Sequence, residues 1–365
     1  MLTGTIRAVR CACAMLCALA ALALTAPGHA QCPGDVTGNG LVNGADLGLV
    51  LAAWASDGTD EPGSDLNQDG TVNGADLAYV LGAWGPCVTT PAWATLIEAF
   101  PDPAVVTDPT LRAAITATGL AWRVKDTATQ IEFVLIPPGT FQMGCSASEQ
   151  YACISRESPV HTVTLTNAFY MGRYEVTQAQ WQARMGSNPS SFQSASAEVP
   201  AAQVPNRPVE LVSWNTIQGF LTQTGMRLPT EAEWEYAYRA GTTTAFHGFT
   251  GYLSGTNDDS LLGNIAWHGS NSNSQTRPVG GKLGNGYGLH DMSGNVWEWV
   301  NDWYSSSYYT SSPQNNPPGP TTGTYRVVRG GIWSSNSFYC RASDRRNLPP
   351  TYSSDVIGFR VARTP

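Results

Sequence analysis

The sequence predicts an α+β protein in which a small all-α module precedes one large, irregular domain. Two observations support this prediction. One loop-and-helix unit occurs twice near the N-terminus, and three helices with clear start and stop signals lie between strand patterns in the remainder. The composition agrees, because 42% hydrophobic residues can form a sizeable core while 37 Gly and 24 Pro residues predict many turns.

Residues 1–30 have the pattern of a secretory signal peptide. Two arginines precede an apolar run at 11–24, and a small-x-small sequence at 28–30 predicts cleavage before Gln31. No later stretch is as long and apolar as the roughly 20 residues of a membrane span. We therefore expect a protein that is secreted, periplasmic or at the cell surface, with no membrane span.

The charge of the chain argues against two classes of partner. The formal net charge is −8, and loss of the leader, with its two arginines and no acidic residue, makes it −10. An acidic surface repels nucleic-acid phosphates and anionic lipid headgroups. We therefore expect neither nucleic acid nor an anionic membrane as partner.

The cysteines predict two disulfides. Five of the eight cysteines follow the leader. Cys32 and Cys87 bracket the first module, and Cys145 and Cys153 flank a short polar loop, so we expect these pairs to form in an oxidising compartment. The odd number leaves Cys340 as a free thiol.

Residues 35–54 recur at 65–84, a spacing of 30 residues. Each copy places oxygen-bearing side chains at positions 1, 3, 5, 9 and 12 of an EF-hand-type calcium loop, with Gly at position 6 and a helix after it. The alternative is a pair of Asx-turns that only cap two helices. The predicted calcium ligands are Asp35, Thr37, Asn39, Asn43 and Asp46, and then Asp65, Asn67, Asp69, Asn73 and Asp76.

This duplicated unit resembles a type I dockerin, with the module spanning residues 31–88. The resemblance implies that calcium is needed for folding and that the partner is a cohesin. Loop positions 10 and 11, where dockerins usually present recognition side chains, are Gly44-Ala45 and Gly74-Ala75 here. A cell-surface or matrix tether is therefore an equal alternative.

We interpret residues 89–126 as a linker with two short helices, at 93–100 and 111–120, followed by the large domain at 127–365. Strand patterns begin at Ile131 and return at 325–329 and 356–362. The N-caps and stop residues of three helices between them are Thr177 and Gly186, Ser213 and Gly225, and Thr230 and Gly241.

The stretch GLHDMSGNVWEW at 288–299 is neither helix nor strand by period. Asp291, Asn295 and Glu298 offer oxygens close to free carbonyls, which suits calcium, while two tryptophans would anchor the loop in a core. In the alternative interpretation the carboxylates only cap backbone amides. The helix in RLPTEAEWEYAYRAG is predicted to be a capped core helix rather than a paired-carboxylate site.

The motifs PPGTFQMG, GRYEVTQAQW, RLPTEAEWEYAYRAGT, GLHDMSGNVWEWVNDWY and RVVRGGIW resemble the formylglycine-generating enzyme (sulfatase-modifying factor) family over residues 131–363. The resemblance implies an irregular, C-type-lectin-like fold stabilised by calcium. It places one calcium site on Asp291, Gly294, Val296 and Glu298, and the start of a second on Asn264 and Ile265.

Active members of that family use copper(I), oxygen and two cysteines five residues apart to oxidise a substrate cysteine to formylglycine. The matching run RGGIWSSNSFYC keeps Cys340, but Ser335 stands at the first cysteine position and Ile332 at a serine of the oxygen pocket. A hydroxyl is too hard to replace a thiolate on copper(I), so the residues argue against copper. Cys340 remains a catalytic candidate, with a buried structural thiol as the alternative.

Two functions follow from these observations. One is a binding or scaffolding protein for a peptide or glycan, favoured by the Tyr-, Ser-, Asn- and Trp-rich segments at 303–309 and 334–352. The closing run from Arg329 to Arg360 also resembles the variable ends of retroelement-diversified lectin-like receptors. The other is an active oxidase with an altered centre. The histidines form no HxH or HExxH spacing, so zinc and non-haem iron centres lack ligands.

Overall fold

The computed structural model describes residues 32, 34–61, 63–145 and 151–365. The predicted signal peptide and its cleavage site lie outside the described residues. No helix in the described ranges is long and apolar enough to cross a membrane.

The small module consists of two matching helices and one pair of very short strands. Strand β1 (Leu41–Val42) precedes α1 (Gly44–Ala52), and α2 (Gly74–Gly82) precedes β2 (Gly85–Pro86), which pairs antiparallel with β1. Both helices begin with capping boxes, Asn43 with Asp46 and Asn73 with Asp76. A small core of Val42, Val50, Ala53, Val72 and Val80 lies between them. The duplicated loop-helix prediction is therefore confirmed.

The large domain is a mixed α and β structure with short elements. In chain order they are β3 (Ala94–Glu98), α3 (Pro109–Thr116), β4 (Arg123–Asp126), β5 (Glu132–Ile136), β6 (Gly139–Met143), β7 (His161–Leu165), β8 (Phe169–Gly172), α4 (Gln178–Met185), α5 (Trp214–Thr224), α6 (Glu231–Arg239), β9 (Ala266–Trp267), β10 (Ser293–Gly294), β11 (Trp297–Trp303), β12 (Arg326–Arg329), β13 (Arg345–Leu348), β14 (Ile357–Gly358) and β15 (Ala362–Arg363).

Two sheets organise these elements. The first has the order β15-β8-β5-β4-β3 and the second the order β13-β12-β11-β14. In the second sheet β11 pairs antiparallel with β12 and parallel with β14, which fixes the loop at 291–296 directly before a central strand. The predicted strand at 356–362 is two short strands, because β14 and β15 belong to different sheets.

The predicted helix at 93–100 is wrong. This segment forms strand β3, which pairs antiparallel with β4 at the edge of the first sheet. A short apolar run has no decisive period, and here the free edge of β4 determined its conformation. The predicted helix at 111–120 is confirmed as α3, which begins earlier because Asp108 caps it and Pro109 is its first residue. Residues 89–126 thus contribute two strands to the sheet.

The three predicted helix caps are confirmed. Thr177 and Thr230 each form a capping box, and Ser213 accepts a hydrogen bond from the amide of Thr216. Gly186 and Gly225 end α4 and α5 in the left-handed conformation that glycine adopts readily. Helix α6 ends one residue earlier than predicted, with Ala240 rather than Gly241 as its left-handed C-cap.

The carboxylates of α6 are structural, as the sequence predicted. The whole helix from Glu231 to Arg239 is buried except Glu233. Glu231 receives two hydrogen bonds from Arg345, and Glu235 pairs with both Arg239 and Arg329. Each buried acid therefore has an arginine partner, which is what burial of a charge requires.

Candidate functional site

Each loop of the small module brings its predicted calcium ligands together. Asp46 accepts hydrogen bonds from the amides of Thr37 (2.9 Å) and Asn43 (2.8 Å), and Asp35 accepts from the amide of Gly40 (2.8 Å). Gly40 has φ 81°, the left-handed turn expected at position 6. The second loop repeats this pattern, with Asp76 accepting from Leu66 and Asn73 and Asp65 accepting from Gly70.

The loop carboxylates are suited to a divalent cation. Burial opposes the ionisation of Asp46, but hydrogen bonds from Thr37 and Asn43 outweigh it and lower the pKa of that carboxyl. The pKa of Asp76 is lowered for the same reasons. Ionised oxygens that converge on one short loop are the donor set calcium prefers, so the residues fit the predicted ion.

The loop from Asp291 to Glu298 combines left-handed backbone positions with a buried carboxylate oxygen that has no hydrogen-bond partner. Asp291 and Asn295 are left-handed, with φ 56° and 59°. A side chain at Gly294 would collide with the carbonyl of Trp267. Oδ2 of Asp291 accepts a hydrogen bond from the amide of Gly280 at 2.6 Å, whereas its buried Oδ1 has no hydrogen-bond partner. The amide-capping interpretation thus describes only one of the two oxygens.

Three carboxylates are buried around this loop. Glu298 receives two 2.6 Å hydrogen bonds from Arg360. Glu175 accepts from the side-chain amide of Asn295 (2.7 Å) and the backbone amide of Val296 (3.2 Å), and has no ion pair among the described residues. Sequence reasoning missed Glu175, whose only signal was a single acid just before the buried Val176.

The pKa values of two of these carboxylates are raised, as expected where negative charges are buried close together. Burial, with the charges of Asp291 and Glu298 adding to it, raises the pKa of Glu175 well above its usual range. Burial also raises the pKa of Asp291 to about 6. Arg360 pairs with Glu298 and not with Asp291, so the unpartnered oxygen of Asp291 is free to contact a divalent cation.

The described contacts give no support to a second cation at Asn264 and Ile265. The carbonyl of Asn264 accepts a hydrogen bond from the amide of Leu283, and its side-chain amide donates to Leu261. The ammonium of Lys282 contacts the adjacent carbonyl of Gly263 at 2.5 Å. The positive charge of Lys282, which contacts the residue before Asn264, opposes the binding of calcium. This second site stays a prediction from the resemblance.

The predicted disulfides are present. Cys32 pairs with Cys87 and Cys145 with Cys153, each with Cα atoms 5.5 Å apart. Cys340 is the free cysteine of the described chain, and it is buried.

Cys340 lies in a confined apolar site. It ends a short 3-10 helix (Ser337–Cys340), and a side chain added at Gly331 would approach its sulfur to 2.8 Å. Burial, followed by the nearby charges of Asp344 and Asp259, raises the pKa of the thiol. The group is therefore protonated at neutral pH, in contrast to the thiolate that copper(I) requires.

Ser335 takes part in a backbone turn. Its hydroxyl oxygen accepts a hydrogen bond from the amide of Ile332 at 3.2 Å, and its side chain is nearly buried. One protonated thiol and one hydrogen-bonded hydroxyl do not fit copper(I).

A groove is lined in part by Ser335. It consists of two adjoining cavities of about 440 Å³ and 380 Å³ that share residues 334–336, and we call it the Ser335 groove. Its aromatic part contains Trp297, whose Nε1 has no hydrogen-bond partner, and Tyr339, against which Arg346 stacks at 4.4 Å. Its hydroxyl-rich part is lined by Asp259, His268, Gly269, Ser270, Ser334, Ser335, Asn336 and Ser337.

Three histidines, His161, His247 and His290, are tied to the backbone, whereas His268 lines the Ser335 groove. Nδ1 of His161, His247 and His290 each lies within hydrogen-bond distance of a backbone carbonyl, at 3.1, 2.9 and 2.8 Å. Burial lowers the pKa of both His247 and His290 to about 4, so both rings are neutral. Over the described ranges no group of three or more His, Cys, Asp and Glu side chains could hold a metal ion, so a cation site there would need other oxygen donors as well, such as Asn or Thr side chains or backbone carbonyls.

Comparisons with known proteins agree with this architecture. A model of the sulfatase-modifying factor enzyme 1-like domain matches residues 120–365, and a model of the dockerin type I domain matches residues 33–81. The formylglycine-generating enzyme of Streptomyces coelicolor is 33% identical over 72% of this chain and 95% of its own. That of Thermomonospora curvata is 33% identical over 64% of this chain and 93% of its own.

Two solved structures are similar in fold. Treponema denticola variable protein 1 is 32% identical, with a TM-score of 0.55 over 66% of this chain and 98% of its own. PvdO from Pseudomonas aeruginosa is 28% identical, with a TM-score of 0.54 over 67% of this chain and 98% of its own. These findings confirm the predicted fold class and both resemblances.

Proposed function

Since the chain belongs to the sulfatase-modifying factor enzyme family and carries a dockerin type I module, we propose that it is an exported, calcium-loaded binding member of that family. In this proposal the dockerin module tethers the protein, and the large domain binds a peptide or glycan. The observation that carries it is the pair Ser335 and Cys340, which offers one protonated thiol where copper(I) needs two thiolates.

The Ser335 groove supports a binding role. Aromatic side chains at Trp297 and Tyr339 can pack against a sugar ring or a peptide side chain, while the hydroxyl groups of the lining can form directional hydrogen bonds. Most of the lining is uncharged. Arg346 lines the aromatic part of the groove and Asp259 lines the hydroxyl-rich part. Such a surface suits a neutral polar ligand.

The exposed surface of the small module supports a tether. Leu51 and Trp54 of the first repeat are about half exposed, as are their counterparts Leu81 and Trp84 of the second. Large exposed apolar side chains at equivalent places in both repeats are expected of a docking surface. The partner is a cohesin, as the dockerin type implies, or a component of the cell surface.

The alternative function is formylglycine generation, favoured by the identity to enzymes of that name. The test incubates the calcium-loaded full-length mature protein with copper(I), oxygen and a Cys-x-Pro-x-Arg peptide. We expect no conversion of the peptide cysteine, measured by mass spectrometry against the Streptomyces coelicolor enzyme as positive control. Formylglycine in the product would overturn the binding proposal.

A further inference from the structure

A second cleft lies apart from the Ser335 groove and shares no lining residue with it. It has a volume of about 640 Å³ and forms where residues 104–111 meet the loops at 241–254 and 283–290. This volume is within the range of about 300–1,000 Å³ that small-molecule sites occupy. We call it the Arg173 cleft, after the cation in its lining.

One wall of the Arg173 cleft precedes the segment that matches the family model, which begins at residue 120. This wall is well fixed. Asp108 caps α3 by accepting a hydrogen bond from the amide of Thr110 at 2.7 Å. The guanidinium of Arg112 donates to the carbonyls of Val106 (2.7 Å) and Thr107 (2.8 Å). The hydrogen bonds of Asp108 and Arg112 therefore preform this wall of the cleft.

The body of the cleft is apolar. Val105, Leu111 and Phe249 line it, and Leu253 and Leu283 remain 58% and 43% exposed beside them. Large aliphatic side chains gathered around a concave surface favour a ligand with an apolar part.

Arg173 supplies the polar end. Its NH1 lies 3.2 Å from Glu132, and its NH2 lies 3.4 Å from Nε2 of His290. Nδ1 of His290 is 2.8 Å from the carbonyl of Lys282, so this nitrogen donates and Nε2 accepts from Arg173. Nε of Arg173 also donates to the carbonyl of Gly288 at 3.4 Å. With three of its five N–H donors engaged, the guanidinium has two left for a ligand.

Glu132 does not neutralise Arg173 fully, because it is shared. It also pairs with Arg123 (3.3 Å) and Lys125 (3.7 Å), and Arg123 in turn pairs with Glu98. Three cations thus face two carboxylates. Asp108 is the acidic residue of the lining, and one of its oxygens is engaged in capping α3.

We propose that the Arg173 cleft binds a small organic carboxylate with an apolar body, with the carboxylate on the guanidinium of Arg173. This site is independent of the function proposed for the Ser335 groove. The free guanidinium donors recognise the carboxylate oxygens, and the aliphatic wall excludes water around the bond.

Isothermal titration of the calcium-loaded mature chain with 3-phenylpropionate and with hexanoate tests this site, with 3-phenylpropanol as the neutral comparison. We expect both carboxylates to bind and the alcohol to bind at least about tenfold more weakly, because hydrogen bonds to a charged group contribute about 1.5–3 kcal/mol. Equal affinity for the alcohol, or no binding of either carboxylate, would overturn the proposal.

Variants separate the cleft from the rest of the molecule. Arg173→Gln should weaken carboxylate binding about tenfold or more. Ala104→Trp, at an exposed position of the wall, should fill the cleft and abolish binding without touching an ion pair. Arg346→Gln, in the Ser335 groove, is the matched control and should bind normally. Carboxylate binding that survives both cleft substitutions would contradict the assignment.

Discussion

Glu298 and Arg360 form a fully buried ion pair with two hydrogen bonds of 2.6 Å, and Nε1 of Trp234 donates a third hydrogen bond to the same carboxylate. The pair joins the central strand β11 to the segment between β14 and β15. It therefore connects the two sheets at the place where the proposed calcium loop enters the core.

Glu298→Gln should destabilise the large domain strongly. The substitution leaves the guanidinium of Arg360 buried without an ionised partner, and breaking a buried pair costs about 3–5 kcal/mol. Urea unfolding of the calcium-free protein measures the loss in the free energy of unfolding. Arg363→Gln, which removes a pair with Asp126 at a partly exposed arginine, is the control and should cost less. Equal effects of the two substitutions would contradict the structural role of the buried pair.

Calcium should stabilise the large domain through Asp291. At 100-fold excess over Kd, calcium adds about 2.7 kcal/mol to the free energy of unfolding, or roughly 5–11 °C in Tm for a domain of this size. Differential scanning calorimetry with calcium and with EDTA should show this difference for the wild type. Asp291→Ala should abolish it for the large-domain transition. Asp46→Ala, in the small module, should leave the large-domain transition sensitive to calcium.

The small module should depend on calcium for its helices. Its core contains only a few valines and one alanine, so the two loops need the ion to hold α1 and α2 in place. Far-ultraviolet circular dichroism of the full chain should show a loss of helix when EDTA is added. The loss should be smaller in the variant Asp46→Ala/Asp76→Ala, which lacks the loop carboxylates from the start. An identical loss in both proteins would show that these loops do not bind the ion.

Asp302 should make stability decrease as pH rises. Burial, with the charge of Glu231 adding to it, raises the pKa of Asp302 to about 8, so the folded protein binds a proton that the unfolded chain, with a pKa of about 3.9, has lost. The stability contribution of this carboxyl is therefore present below about pH 4 and is lost progressively up to about pH 8.

Asp302→Asn tests this sign directly. The amide oxygen can still accept the hydrogen bond from the backbone amide of Glu231 without titrating. Relative to the wild type, the variant should gain stability between pH 4 and pH 8 in urea unfolding. A difference that does not change with pH would contradict the raised pKa.

Cys340 should be unreactive in the folded protein. Its side chain is fully buried and its pKa is raised, so both access and thiolate content are low. Iodoacetamide should label it slowly at pH 7.5 and rapidly in guanidinium chloride, as measured by mass spectrometry. Fast labelling without denaturant would favour the reactive-thiol interpretation.

Local signals predicted much of this molecule. Caps such as Thr230 with Glu233, and loop spacings such as Asp35 to Asp46, depend on residues a few positions apart, so the sequence alone specified them. The partners of the buried carboxylates are far away in the sequence, and local patterns did not predict them. Arg360 is 62 residues from Glu298, and Glu175 is 120 residues from Asn295, so no local pattern could join them. Strand β3 was missed because its conformation depends on pairing with β4.

The central claim is that Ser335 and Cys340 do not form a copper centre. A competition titration of the calcium-loaded mature chain with a chromogenic copper(I) chelator tests it most directly. We expect the chelator to retain all of the copper, because one protonated thiol and one hydroxyl cannot compete for a soft ion. Removal of one equivalent of copper(I) from the chelator, with oxygen consumed on addition of a thiol peptide, would contradict the account.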